Sequence, residues 1–146
     1  MNAIHRFLPT AARLFLGLVF TVFGLNFFAH FLPTPTPPPG AAAFASALFN
    51  SGYLFPLLKS VEVVAGLLLL TGRFVPLTLA VLAPIVVNIV GFHVALAPSG
   101  TPLALAVLAA EIYLAWVYRA AFAPMLRART PLPQHQAAPE PRPAHA

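Results

Sequence analysis

Four long apolar runs dominate this chain, and each is close to the ~20 residues that an α-helix needs to cross the hydrocarbon core of a bilayer. The first runs from Ala11 to Leu32 and stops at Pro33, where prolines become too dense for a helix to continue. The second runs from Tyr53 to Thr71, with Gly72 placed to end it. The third covers Phe74 to Leu96 and gives way to Pro98-Ser-Gly100. The fourth covers Pro102 to Phe122, with Thr101 as a candidate N-cap and Pro102 as its first helical residue. The pattern predicts an all-α fold, an integral membrane four-helix bundle formed by residues 1–126. The Pro- and Ala-rich segment 127–146 cannot bury a core and is expected to be a disordered tail.

Composition excludes a water-facing domain. Charged residues make up only 8% of the chain, against about 25% in a soluble protein. The first run is also longer than the roughly 7–15 apolar residues of a signal peptide. The formal charge is +5, yet the basic residues form no stripe and have no aromatic platform beside them, so no nucleic-acid partner is expected. They cluster instead around the ends of the runs. Arg6 and Arg13 precede or enter the first, Arg73 separates the second and third, and Arg119, Arg127 and Arg129 follow or end the fourth. The connections Pro33–Gly52 and Ala97–Thr101 carry no charge. The positive-inside rule then puts both termini in the cytoplasm, in a multi-pass protein of the plasma (inner) membrane. Within the first outer connection, Ala41 to Asn50 can form a short helix that either lies at the interface or packs over the bundle.

The chain has no cysteine, which removes thiolate nucleophiles, Cys-ligated zinc and Cys-ligated iron–sulfur clusters. It has no Gly-rich phosphate loop, no HExxH and no GxSxG. No metal site is expected. The chemistry therefore rests on the few polar residues inside the runs. Glu62 and Glu111 lie at matching positions from the outer ends of their runs, and Asn88 comes to a similar depth, roughly 12–14 Å below the outer edge. Lys59 stands three residues before Glu62, close enough to pair with it. Asn26, His30 and His93 are nearer the outer edge, and Arg13 is at the inner edge, where it can snorkel. Pro84 frees the carbonyl of Ala80, and a kink there would widen the outer half of the bundle. These residues predict a polar pocket in the outer half, with Glu62, Glu111, Lys59 and Asn88 as its main groups and His93, His30 and Asn26 secondary to them. The packing alternative is a Lys59–Glu62 ion pair with Glu111 hydrogen-bonded to Asn88. His30 and His93 are at similar depth, as haem ligands would be, but interfacial histidine is common and there is no second pair, so haem is not expected.

The stretch Arg13 to Gly24 resembles the first helix of DoxX-like membrane proteins, and Ser51 to Phe74 resembles the second. Pro84-Ile-Val-Val-Asn88 and Glu111-Ile-Tyr-Leu-Ala-Trp116 carry the likeness into the third and fourth. The most specific part is the pattern Lys59, Glu62, Gly66, Gly72-Arg73, and the likeness covers about Arg6 to Leu126. The resemblance implies a four-helix membrane protein. Some members are linked to quinone-coupled oxidation of thiosulfate and others to redox and detoxification systems. With no cysteine, a dithiol mechanism is excluded here. The expectation is a redox-linked or quinone-side membrane subunit, with a redox protein partner or a second copy of itself. The alternatives are a non-catalytic membrane anchor and a small-molecule transporter acting as a homodimer.

Overall fold

The computed structural model describes residues 2–33 and 36–128, with side chains from Phe7 onward. Its elements are α1 (Asn2–Ala29), α2 (Pro39–Asn50), α3 (Leu54–Thr71), α4 (Val75–Leu96), a 3-10 turn at Pro98–Gly100, α5 (Thr101–Val117) and the single turn α6 (Arg119–Phe122). No strand occurs among the described residues. Four stretches are long and apolar enough to span a membrane: Phe7–Ala29, Leu54–Thr71, Val75–Leu96 and Pro98–Val117.

The ends of these helices follow local chemistry. α1 stops at Ala29, short of the proline run, because His30 takes a left-handed conformation (φ 50°) and the Asn26 side chain accepts a hydrogen bond from the Leu32 amide at 2.7 Å. α3 ends in a Schellman motif. Gly72 adopts φ 71°, which costs a residue without a Cβ little, and the amides of Gly72 and Arg73 return to the carbonyls of Leu69 and Leu68. Phe74 also has positive φ and precedes Val75, the first residue of α4. The N-terminus of α5 differs from the expectation for Thr101. Gly100 is the capping residue and Thr101 is already helical, with no side-chain capping bond. α5 also stops earlier than expected, at Val117, and the chain turns at Tyr118 into α6. α4 runs unbroken through Pro84, and Pro84 itself faces outward.

α1 and α3 approach most closely. A Cβ at Gly66 would stand 2.6 Å from the Thr21 backbone nitrogen, so only glycine fits there, and Gly17 and Gly24 bring α1 equally close to Leu70 and Val63. In a bilayer, where lipid is as apolar as the helix surface, close backbone contact of this kind supplies the association energy. Arg13 strengthens the same pairing. It does not turn out toward the interface as expected but donates to the carbonyls of Leu69 and Leu70, the latter at 3.1 Å, which places a cation at the C-terminus of α3. The core is continuous through α1, α3, α4 and α5, from Leu16 and Phe20 to Leu69, Leu82, Val86 and Leu114. α2 packs on the bundle through buried Ala41 and through the Phe44 ring, 5.6 Å from that of Phe92, while Phe49 stays 61% exposed. The expected tail lies outside the described residues from residue 129 on.

Candidate functional site

The first polar centre grows from one turn of α3. Lys59 and Glu62 share a helix face, and the ammonium bonds both carboxylate oxygens, at 3.0 and 2.8 Å. Glu62 is 2% exposed, so its charge is carried inside the bundle by Lys59 alone among the described residues. The ammonium also lies 5.7 Å from the centre of the Phe55 ring. A buried carboxylate needs such a partner, because a lone charge in a low-dielectric interior is costly.

This pair forms the polar wall of a cavity of about 210 Å³, to which all four spans contribute: Phe20 and Phe23 from α1, Ile89 and His93 from α4, and Leu103 and Val107 from α5. His93 donates from Nδ1 to the carbonyl of Ile89 at 2.8 Å, which leaves Nε2 as the second nitrogen of the ring. Gly100 lies directly against that ring, and a Cβ there would collide with His93 Cδ2 and Nε2. The 3-10 turn before α5 thus fixes the imidazole in the cavity wall. The sequence showed the Pro-Ser-Gly string only as a helix stop, and its contact with His93 has no signal in the spacing.

Glu111 stands elsewhere. It lines a groove of about 690 Å³ between α4 and α5, walled by Ala80, Ala83, Val87, Ile112 and Trp116 and reaching Arg119. It is 6% exposed, and neither carboxylate oxygen has a hydrogen-bond partner among the described residues. The single expected pocket is therefore two, one around Lys59, Glu62 and His93 and one beside Glu111. Asn88 lines neither. It is exposed on the outer face of α4 and makes no hydrogen bond with Glu111. Asn26 is spent on the turn after α1, and His30 is exposed in that turn, outside the cavity lining. Among the described residues no three His, Asp or Glu gather around a point that could hold a metal ion.

The DoxX family model matches residues 8–95, more than half of the chain. The chain belongs to the DoxX family. The matched region takes in α1 to α4 of this DoxX protein, with Lys59, Glu62 and His93, and ends before α5 and Glu111. Comparison with curated proteins and with solved structures returned no match.

Proposed function

We propose that this DoxX protein is a redox-linked membrane subunit that holds a quinone, or a similar small lipophilic molecule, in the cavity beside Lys59 and Glu62. The observation that carries this reading is the buried ion pair, which puts a proton donor and a proton acceptor on one wall of an otherwise apolar cavity. Two lining residues, Phe23 and Leu103, are 47% and 42% exposed, which favours access from the bilayer between α1 and α5. A quinone carbonyl accepts a hydrogen bond from the Lys59 ammonium. Reduction to the quinol takes up two electrons and two protons. The electrons come from a redox partner protein, and Lys59 and Glu62 stand where the protons would pass. In the same reading both termini face the cytoplasmic side of the plasma membrane, by the positive-inside rule, and the cavity lies toward the outer half.

The test is binding of a short-chain quinone to the protein in lipid nanodiscs. Glu62→Gln should weaken binding at least tenfold. The double variant Lys59→Met/Glu62→Met, which removes both charges without leaving one unpaired, should fold and fail to bind. Unchanged affinity in both variants refutes the reading.

A second reading, assembly with another copy of this chain, is favoured by Asn88. On the outer face of α4 the exposed residues Leu77, Val81, Pro84, Asn88, Gly91 and Ala95 follow the alternating four-and-three spacing of a helix–helix seam. A Cβ on Gly91 would touch nothing. An amide carries both donor and acceptor, so two copies related by an axis along the membrane normal would pair Asn88 with Asn88 at equal depth. Because the chain has no cysteine, Gly91→Cys is a single-site probe. Oxidation should join two copies through position 91 and not through Leu67→Cys on the exposed face of α3. Equal crosslinking at both sites would count against this seam.

A further inference from the structure

We propose that the groove between α4 and α5 is a second binding site, which takes a lipophilic organic cation from the bilayer with Glu111 as its counter-ion and Trp116 as part of its wall. Glu111 is more than nine-tenths buried and lines the groove, yet neither of its oxygens has a partner among the described residues. Buried polar groups are nearly always hydrogen-bonded, and an acid within a membrane span is expensive unless it has a purpose. The described residues do not supply the partner from nearby. Lys59 is engaged by Glu62, and Asn88 points outward. Arg119 is the other charged side chain on the groove lining, but it lies beyond the end of α5, is exposed, donates to the Trp116 carbonyl at 3.1 Å and stacks over the Trp116 ring at 5.0 Å.

The rest of the groove defines the body of the ligand. Its volume of about 690 Å³ falls in the range of about 300–1,000 Å³ that holds drug-sized molecules. Ala80 and Ala83 keep one wall low, and Val87 and Ile112, 66% and 60% exposed, mark where the groove meets the lipid. Trp116, 67% exposed, adds an aromatic ring to the wall, with Arg119 lying over it. A neutral lipid chain would fill this volume but leave the Glu111 carboxylate without a counter-charge. An ammonium- or phosphonium-type charge on an apolar frame fills the volume and supplies that counter-charge.

Trp116 is the only tryptophan of the chain, so its fluorescence reports on this groove alone. The experiment titrates the protein in nanodiscs with tetraphenylphosphonium and, in parallel, with uncharged triphenylphosphine oxide. The cation is expected to give a saturable change in fluorescence, weakened at least tenfold by Glu111→Gln and still saturable in Lys59→Met/Glu62→Met, which leaves no charge unpaired. The neutral compound is expected to give the same non-saturating response in all variants. Ala83→Leu, which fills the groove and keeps the carboxyl, should also abolish saturation. Saturable binding that Glu111→Gln leaves intact, or a neutral compound that binds as tightly as the cation, overturns the assignment. Loss in Ala83→Leu without loss in Glu111→Gln would identify an apolar groove with no counter-ion and overturn it too. Because Lys59→Met/Glu62→Met is the variant that folds and disables the proposed quinone cavity, failure of one site is read separately from failure of the other.

Discussion

Glu62 and Glu111 have the same chemistry and nearly the same burial, and their surroundings differ in every other respect. Glu62 receives two hydrogen bonds from Lys59 one turn away on its own helix, inside a cavity to which all four spans contribute. Glu111 has no hydrogen-bond partner among the described residues; it borders a groove between α4 and α5, with both oxygens enclosed behind the groove wall. α3 is locked to α1 by glycine contacts and by Arg13, so the first acid belongs to the tightest part of the bundle. The lesson is that burial alone does not define the role of an intramembrane acid. The first is bonded into the helix that α1 anchors as well as bordering the proposed quinone site, whereas no hydrogen bond among the described residues holds the second.

The largest effect that would break this contrast is at Lys59. Lys59→Met leaves a buried carboxylate unpaired and should cost about 3–5 kcal/mol, measured by reversible unfolding in bicelles. Lys59→Met/Glu62→Met should recover most of that loss, and a double variant no more stable than the single one would show that the pair is not the cause. Next in size is the α1–α3 contact. Gly66→Ala drives a Cβ into the Thr21 backbone and should cost about 1–3 kcal/mol by overpacking, with the same assay as the check. Gly100→Ala should act less on stability, on the order of 1 kcal/mol, because the turn before α5 can give way. It should nonetheless displace His93, read as a changed imidazole shift by NMR and weaker quinone binding. The smallest stability effect should be at Asn88. Asn88→Leu should stay within about 0.5 kcal/mol as a monomer while reducing crosslinking through Gly91→Cys.

Much of the architecture was legible from the chain. The first three apolar runs are ended by proline or glycine, so those spans and the short helix after the proline run could be placed. The fourth span has no such stop and ends at Val117 instead of Phe122. The three-residue spacing of Lys59 and Glu62 implied their ion pair. Azimuth was not legible. α4 and α5 are apolar around almost their whole circumference, so periodicity does not say which side faces lipid. That is why Glu111 and Asn88, counted along their helices to the depth of Glu62, were expected in one pocket although the first borders a separate groove and the second faces outward. The inward turn of Arg13 and the packing of Gly100 on His93 depend on contacts between distant segments, which local spacing does not encode.

The most direct test of the contrast compares Glu62→Leu with Glu111→Leu by reversible unfolding in the same bicelles. Glu62→Leu strands the Lys59 ammonium and should destabilise the protein by about 3–5 kcal/mol. Glu111→Leu removes two unpaired oxygens and should be neutral or stabilising by about 1–3 kcal/mol. Equal destabilisation by the two substitutions would contradict the division of roles between the two acids.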